Sequence, residues 1–293
     1  MEQNQGKALA GKSTLNRLEL TGTGVVDRYK KIGRDDKAID RFMVDHFLES
    51  HPKPPQQIIL DVDATDDPVH GDQEGRFYHG YYRHYCYLPL YIFCGEYLLC
   101  ARLRQANIDA SAGTVEELER IVGQLRAKWP KVRIVLRGDS GFCREAILSW
   151  CEAHGVDYVL GLAKNSVLIG KLRTELEKAE RKFKKTGRAV RLFKDFQYRT
   201  LDSWSRKRRV IGKAEHLSKG ANPRFVVTSL PARQLGARYI YERVFCARGD
   251  MENRVKEQQF PEVALGLGGL EAGVHASIGK PRLRQISIIR WHH

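Results

Sequence analysis

Apolar runs along the chain, broken by polar segments, predict buried strands separated by longer amphipathic helices. Short β-branched runs occupy 56–65 ("QQIILDVDAT") and 132–139 ("VRIVLRGD"), and both contain acidic residues near their ends. A third run, "VDYVLGLA", occupies 156–163. Runs of this length and composition are typical of strands buried in a sheet. The runs "YCYLPLYIFC" and "YLLCARLR" flank Gly95 and Glu96 and predict a hairpin.

Four longer stretches place apolar residues at helical spacing: "KAIDRFMVDHFLESH" (37–51), "TVEELERIVGQLRAKW" (114–129), "CREAILSWCEAHG" (143–155) and "SVLIGKLRTELEKAERKF" (166–183). The second stretch begins at Thr114, with Glu117 three residues later, and this spacing predicts a capping box. Gly155 ends the third stretch, as glycine commonly does. The order strand, hairpin, helix, strand, helix, strand, helix predicts a mixed α/β sheet covered by helices.

The segment 186–229 has a different character, because it is basic and contains three short predicted strands, "VRLFKDFQYRTL", "RRVIGKAEHL" and "RFVVTSL". Between 171 and 219 there are 17 Lys and Arg against 6 Asp and Glu, which is +11 of the formal net charge of +15. Charge this localised favours a docking surface for a polyanion. The alternative is a solvated helix followed by a charged β insertion.

The composition narrows the class of partner. The chain has 293 residues, of which 42% are hydrophobic, and a sequence pI near 9.6. No apolar run approaches the ~20 residues of a membrane-spanning helix, and the N-terminus has no apolar signal region. Nucleic acid is therefore the expected partner, and a membrane is not. The six cysteines include no Cys-x-x-Cys pair, so we expect reduced cysteines in a cytosolic protein.

Acidic residues lie at the ends of two predicted strands. Alternation along a strand places Asp61 and Asp63 on the same face, and strand ends are where α/β folds place their chemistry. Carboxylates from two neighbouring strands and a third from a later helix can bind divalent cations such as Mg²⁺. Asp63, Asp139 and Glu252 are the candidate trio. The alternative is that the aspartates serve as helix N-caps or turn residues.

Three blocks of sequence resemble the catalytic domain of bacterial insertion-sequence transposases: "LDVDATDDPVHGDQEGRFYHGYYRHYCYLPLYIFCG", "VRIVLRGDSGFCREAILSWCEAHGVDYVLGLAKN" and "FCARGDMENRVKEQQ". The family is of the DDE type, in the group called transposase DDE domain group 1, and the resemblance runs from about Ala8 to Gln259. It implies an RNase H-like mixed sheet flanked by helices, with a basic β-rich insertion before the last catalytic helix. The regions implied are a helical lead-in (1–55), the RNase H-like core (56–185), the insertion (186–229), the helix with the catalytic glutamate (230–260) and a Gly-rich tail (261–293).

The resemblance implies that Asp63, Asp139 and Glu252 are the catalytic acids and the metal ligands, with two Mg²⁺ (or Mn²⁺) ions. Asp61 is the alternative to Asp63 as the first catalytic acid. A zinc site at His70 and His79 is another alternative. We expect neither histidine to bind metal, because phosphoryl transfer of this class uses oxygen ligands.

Relatives with a β insertion have a Tyr-x2-Arg-x3-Glu-x6-Lys signature around the glutamate. Arg248 and Glu252 keep its spacing, whereas Phe245 and Gln259 replace the Tyr and the Lys. Helical spacing places Arg248, Glu252 and Lys256 on one face. In this family that face would meet the metals and the DNA end, so Arg248 and Lys256 are candidate DNA contacts.

The insertion of similar transposases contacts the transposon end, where an aromatic side chain can stack on a flipped base. Trp204 is the candidate for this stacking, and packing of Trp204 beneath the insertion is the alternative. The adjacent cations that would lie along backbone phosphates are Arg206, Lys207, Arg208 and Arg209.

The function implied is DNA transposition, in which transposon ends are cleaved with metal ions and the freed 3′-hydroxyl is joined to target DNA. The partners implied are double-stranded DNA and a second copy of the chain in a DNA-bound homodimer, in the bacterial cytoplasm at the nucleoid. Relatives extend beyond both ends of the resemblance, so the chain is expected to be truncated, which leaves its activity open. The alternatives are an RNase H-like nuclease that only cuts and an inactive DNA-binding remnant.

Overall fold

The structure, a computed structural model, describes residues 20–21, 32–33, 35–69, 71–72, 75–249, 251 and 254–255. The chain divides into two units, Met1–Phe42 with Phe260–His293, and Met43–Gln259. In the first unit, β1 (Leu20–Thr21) pairs in parallel with β2 (Ile32–Gly33). Helix α1 (Asp36–Glu49) begins in this unit, where the Asp35 carboxylate accepts a hydrogen bond from the Ala38 amide and caps the helix.

The second unit is built on a large mixed sheet. The strands of this unit are β3 (Gln57–Ala64), β4 (Asp67–Pro68), β5 (Phe77–His79), β6 (His84–Tyr87), β7 (Leu90–Cys94), β8 (Tyr97–Arg102), β9 (Arg133–Gly138), β10 (Asp157–Leu162), β11 (Val190–Tyr198), β12 (Arg208–Leu217), β13 (Gly220–Ala221) and β14 (Arg224–Thr228). The large sheet has the order β8-β7-β3-β9-β10-β14-β12-β11, and β13 pairs with β12. Strands β3, β9 and β10 are parallel, and the other pairs are antiparallel.

Helices cover this sheet, as the sequence predicts. They are α2 (Thr114–Lys128), α3 (Glu145–Ala153), α4 (Ser166–Thr186) and the short α5 (Ala237–Tyr239), with a 3₁₀ turn at Ser140–Phe142. The prediction of a mixed α/β sheet flanked by helices is confirmed. Among the helices of the described residues, none is both long enough and apolar enough to cross a membrane.

The two faces of the large sheet pack against different parts of the chain. Leu60 and Val62 of β3 belong to the main core, which also includes Phe47 of α1, Ile121 of α2, Leu148 of α3 and Leu172 of α4. Ile59, on the opposite face, packs in a second cluster with Ile240 and Tyr241 from the segment after α5. Because successive strand residues alternate between faces, Asp61 and Asp63 lie on this second face.

The three strands predicted in the basic segment are confirmed as β11, β12 and β14. They extend the large sheet, because β14 pairs with β10 and β12 pairs with β14. Helix α4 packs against β11 and β12. The limits of the five regions implied by the resemblance remain predictions.

The predicted capping box at the start of α2 is wrong. The residue before the helix is Gly113, in the left-handed region at φ 74°, and no side chain caps the helix. The buried Thr114 hydroxyl has no hydrogen-bond partner within the described residues. Glu117 instead accepts hydrogen bonds from Arg102 of β8 at 2.6 Å and from Arg120 at 2.9 Å. The acid therefore attaches the helix to the sheet.

The stretch "YCYLPLYIFC" is not one strand, as the sequence pattern predicts, but parts of two. Pro89 lies between β6 and β7, and a proline has no N–H to donate within a strand. Strand β6 joins a separate three-stranded sheet of order β4-β6-β5, which the sequence patterns do not predict. The hairpin predicted at Gly95 and Glu96 is confirmed between β7 and β8.

The chain from α5 onward is helical but irregular. A π-helix occupies Ile240–Phe245 and a 3₁₀ turn occupies Cys246–Arg248. π-Helical segments are rare and often occur at functional sites. Gly249, Met251, Arg254 and Val255 are also helical. The predicted face of this helix falls partly outside the described residues, because these do not include Glu252, Lys256 or Gln259.

Candidate active site

Asp63 and Asp139 occupy matching positions on two adjacent parallel strands. In the register of β3 and β9, Val62 lies opposite Gly138, and each aspartate follows one residue later. Adjacent strands are about 4.8 Å apart. The two carboxylates therefore lie side by side at the carboxyl end of the sheet, where α/β folds form their sites.

Asp61 and Arg137, two residues before Asp63 and Asp139, show which face of the sheet the two acids share. Asp61 lies opposite Arg137, and the guanidinium donates to both carboxylate oxygens, at 2.5 Å from Nε and 2.7 Å from Nη2. Asp61 is 5% exposed. Burial raises the pKa of Asp61, and the hydrogen bonds and charge of Arg137 oppose that increase. Asp63 and Asp139 follow two residues later on the same face, nearer the strand ends.

The π-helix is attached to the same pair of strands. Arg137 Nη1 donates to the Val244 carbonyl oxygen at 2.7 Å. One helical turn later, Arg248 Nη1 lies 3.3 Å from Asp63 Oδ2. These two contacts place the final helix across the ends of β3 and β9, with Arg248 directed at Asp63.

Asp63 and Asp61 differ in their surroundings. The Asp63 side chain is partly exposed, and its Oδ1 accepts a hydrogen bond from the Ala64 amide at 3.0 Å. Both oxygens of Asp61, by contrast, accept from one buried guanidinium. Asp63 is thus the more accessible of the two acids to a ligand from solvent.

Asp139 is both a helix N-cap and a member of the acid pair. Its Oδ1 accepts a hydrogen bond from the Gly141 amide at 2.8 Å, which caps the 3₁₀ turn. The backbone around Asp139 is tightly packed against β10. A Cβ on Gly161 would lie 2.8 Å from the Ser140 nitrogen and 3.1 Å from the Asp139 carbonyl carbon. The absence of a side chain at Gly161 therefore allows Asp139 and Ser140 to approach β10 this closely.

Tyr82 lies within the electrostatic reach of the acids. Burial raises the pKa of Tyr82, and the charges of Asp66, Asp63, Tyr81 and Asp139 raise it further, to about 12. The hydroxyl therefore stays protonated at neutral pH, as a hydrogen-bond donor beside a group of carboxylates. Tyr82 and Ala64, the residue after Asp63, also pack against the same apolar cluster of Cys86, Leu88 and Ala106.

The donor atoms of this site fit a hard divalent cation. Two carboxylates with a partly exposed edge suit Mg²⁺ or Mn²⁺, which bind oxygen ligands and keep several waters. The described residues contain no group of three or more His, Cys, Asp and Glu side chains that could bind a metal. The third predicted ligand, Glu252, lies outside the described residues, as does His70.

The structure places Trp204 in the interior. It is 3% exposed, and its ring packs edge-on against Tyr198, with centroids 5.7 Å apart. The Arg208 guanidinium lies 5.4 Å from the Trp204 ring centroid. Trp204 thus packs beneath the β insertion, which was the alternative to base stacking. A DNA contact through Trp204 would require this side chain to move.

The four cations after Trp204 divide into two buried and two exposed side chains. Buried Arg208 binds Glu145 and Glu152, each at 2.7 Å, and buried Arg209 binds Asp195 at 2.9 Å. Arg206 is 59% exposed, although its Nε donates to Glu152 at 2.9 Å, and Lys207 is exposed. Of the four, Arg206 and Lys207 are the ones placed to meet DNA.

Reasoning from the sequence missed Arg137 and Tyr82. Arg137 interrupts an apolar strand two residues before Asp139, and a lone cation in a buried run could have indicated a buried ion pair. No pattern in the sequence singles out Tyr82 among the tyrosines near it. Its position depends on the sheet formed by β4, β5 and β6.

Comparison with known proteins gives the family. Residues 1–263 match the sequence model of the family Transposase DDE domain group 1. The chain belongs to this family of DDE transposase domains. No curated protein sequence matches the chain.

Among the solved structures that are similar to this chain is one described as the "Cryo-EM structure of piggyBac transposase synaptic complex with hairpin DNA (SNHP)". The TM-score is 0.39 and the sequence identity is 10%. The similarity covers 82% of this chain and 45% of that one, so this chain spans less than half of the length of its structural neighbour.

Proposed function

We propose that this chain is the catalytic region of a DNA transposase, which cleaves transposon ends and joins the freed 3′-hydroxyl to target DNA. The observation that supports the proposal most is the pairing of Asp63 and Asp139 at the carboxyl ends of adjacent parallel strands, beneath a helix whose Arg248 reaches Asp63. The family assignment supports the same activity. The proposed RNase H-like fold has β3, β9 and β10 as its parallel centre.

Asp63, Asp139 and Glu252 would bind two Mg²⁺ or Mn²⁺ ions. When bound, such ions activate water and then a 3′-hydroxyl, and stabilise the attacking and leaving oxygens of an in-line displacement. Glu252 lies one helical turn after Arg248 in the sequence, so a continued helix would present it on the same face.

Other side chains would position the reacting groups. Arg137 joins Asp61 to the Val244 carbonyl and so keeps the final helix against the strand ends. Arg248 would orient Asp63 or bind a phosphate oxygen of the DNA, which is a charge-assisted contact. Neutral Tyr82 would donate a hydrogen bond within the acid cluster.

The DNA would be double-stranded, both as transposon ends and as target. Arg206, Lys207 and Lys256 would contact its phosphates, and Trp204, Arg208 and Arg209 would do so only after leaving their present partners. Exposed cations along α4 add to this surface, since +11 of the net charge of +15 lies between 171 and 219. A homodimer would assemble on paired DNA ends in the bacterial cytoplasm, at the nucleoid.

Nicking of supercoiled plasmid in the presence of Mn²⁺ tests the proposal. The wild-type chain is expected to nick the plasmid, and Asp63→Asn, Asp139→Asn and Glu252→Gln are each expected to abolish nicking. Glu119→Gln, which removes an exposed carboxylate on α2, is the matched control and should nick normally. Equal nicking by all variants, or none by the wild type, would count against the proposal. Nicking without any strand-joined product would favour a nuclease.

A further inference from the structure

An exposed group of aromatic side chains lies on the three-stranded sheet of β4, β5 and β6, together with its 80–83 turn; we name it the aromatic sheet. Six Phe, Tyr and Trp side chains are exposed among the described residues, and four of them belong to the aromatic sheet: Phe77, Tyr78, Tyr81 and Tyr85. Tyr81 is 84% exposed and Tyr78 is 57% exposed. Large aromatic groups concentrated in one short stretch of surface indicate an interaction site.

The pairing of β5 with β6 separates the exposed aromatic rings from an inner face. Tyr78 lies opposite Tyr85, and their rings meet edge to face with centroids 5.6 Å apart. The neighbouring pairs, Phe77 with Cys86 and His79 with His84, belong to the opposite face. Cys86 is fully buried, so that opposite face is the inner one, and Phe77 is 37% exposed there because it lies on the edge strand β5. Tyr78 and Tyr85 therefore form an outward-facing aromatic pair.

Cations accompany these rings. The Arg76 guanidinium lies 4.6 Å from the Tyr85 ring centroid, and Arg76 also pairs with Asp72. Arg83 is exposed in the turn that joins the two strands, where its amide donates to the His79 carbonyl at 2.7 Å. Aromatic faces interspersed with arginines are the elements of surfaces that bind single-stranded nucleic acids, by stacking on bases and by attracting phosphates.

The aromatic sheet adjoins the acid pair. Tyr82 follows Tyr81 in the turn, and their rings meet edge to face with centroids 5.0 Å apart. Tyr82 and Ala64, the residue that follows Asp63, pack against the same buried cluster of Cys86, Leu88 and Ala106. On the inner face, His84 Nε2 lies 2.7 Å from Asp66 Oδ2. A DNA strand that reaches Asp63 and Asp139 would therefore pass beside the exposed tyrosines.

We propose that the aromatic sheet binds unpaired bases of the DNA strand next to the reacting phosphate, by stacking on Tyr81 and on the Tyr78–Tyr85 pair. The proposal rests on the transposase function inferred above, because it places the substrate strand at the acid pair. Nucleic acid fits this surface better than a second copy of the chain, because two copies that each have a formal net charge of +15 repel one another unless DNA lies between them.

The test is a fluorescence-anisotropy titration with a 20-nucleotide single-stranded oligonucleotide and with the matching duplex, in EDTA so that no cleavage occurs. Tyr81→Ala, and Tyr78→Ala combined with Tyr85→Ala, are each expected to weaken single-strand binding by about tenfold, the size of one lost stacking contact. Tyr81→Phe keeps the ring and should keep the affinity. Duplex affinity should change much less, because paired bases cannot stack on a side chain.

Tyr239→Ala is the control variant, since Tyr239 is an exposed tyrosine outside the aromatic sheet. Thermal unfolding midpoints verify that each variant is folded. Unchanged single-strand affinity of Tyr81→Ala would overturn the proposal, as would an equal loss in Tyr239→Ala. A third contradicting result is that Tyr81→Ala alters the sedimentation coefficient of the protein but not its affinity for single strands. That result would indicate that the aromatic sheet is an interface between copies of the chain.

The result separates this inference from the proposed function. Weakened single-strand binding with no plasmid nicking by the wild type would support the aromatic sheet and contradict the transposase activity. Nicking that depends on Asp139, with single-strand binding unchanged by Tyr81→Ala, would support the activity and overturn the role of the aromatic sheet.

Discussion

Arg137 donates to both carboxylate oxygens of Asp61 across the register of β3 and β9, in a part of the sheet closed to solvent. The same guanidinium donates to the Val244 carbonyl in the π-helix. One side chain therefore joins three segments that are distant in sequence, and it does so directly below the Asp63 and Asp139 pair. We therefore expect both the stability of the fold and the alignment of the site to depend on this arginine.

Arg137→Met should lower the free energy of unfolding by about 3–5 kcal/mol, because it leaves Asp61 buried without a counter-charge. Arg133→Met is the control, since Arg133 lies in the same strand but pairs with Asp157 near solvent. Exposed pairs contribute about 0–1 kcal/mol. Urea denaturation of both variants measures the difference. Similar destabilisation by the two substitutions would show that the buried pair has no special role.

Gly161→Ala should displace Asp139 and reduce plasmid nicking by about tenfold or more, because the new Cβ would meet backbone atoms of Asp139 and Ser140 that cannot rotate away. Overpacking of this kind should also cost about 1–3 kcal/mol of stability. Gly170→Ala in α4 is the comparison, because a Cβ there meets nothing within 4 Å. That substitution should stabilise the helix by about 0.5–1 kcal/mol and leave nicking unchanged. If both variants nick normally, the close approach at Gly161 does not control the site.

Acid should weaken the contact between α3 and β12 that Glu145 and Arg208 form. Burial raises the pKa of Glu145, but hydrogen bonds from Arg208, Ser205 and Ser149 outweigh it and lower the pKa to about 2, from an ordinary value of 4.5. The folded state thus binds fewer protons than the unfolded state between these values, so this contribution is complete above about pH 4.5 and is lost as the pH falls towards 2.

Arg208→Gln should therefore reduce stability most at neutral pH and less as the pH falls through that window. Urea denaturation of the variant and the wild type at several pH values between 2 and 7 gives the difference directly. A difference that does not change with pH would mean that the pKa of Glu145 is not linked to folding through Arg208.

Lys207→Ala should weaken duplex DNA binding and reduce the slope of log affinity against log salt concentration by about one, as expected for one lost phosphate contact. Lys131→Ala is the control, because Lys131 is exposed before β9, at the opposite end of that strand from Asp139. Anisotropy titrations at several salt concentrations measure both slopes. Equal slopes for Lys207→Ala and the wild type would remove Lys207 from the DNA surface.

The sequence predicts most strands and helices because their signals are local. The apolar run at 56–65 and the helical spacing at 166–183 each depend on a single segment, and β3 and α4 form as expected. The capping box at Thr114 fails because Glu117 is bound by Arg102 of β8, 15 residues away in the sequence. Local propensity cannot anticipate a competing partner of this kind.

The site likewise has a part that local sequence signals predict and a part that depends on contacts between distant segments. Asp63 and Asp139 are predictable as strand-end acids, and parallel pairing of their strands brings them together. The contact of Arg137 with Val244 joins positions 107 residues apart, and no periodicity encodes it. Trp204 illustrates the converse case, since an aromatic among cations fits both a stacking surface and a buried position. Only the packing of Trp204 against Tyr198 distinguishes them.

Calorimetric titration of the protein with Mn²⁺ tests most directly whether Asp63 and Asp139 form one metal site. The wild-type chain and the Glu119→Gln control should bind Mn²⁺ with the same affinity, and Asp63→Asn and Asp139→Asn should each weaken it by about tenfold or more. A second titration in the presence of duplex DNA tests whether the metal site forms only when DNA is bound. Equal Mn²⁺ affinity of all four proteins, both with and without DNA, would contradict the account.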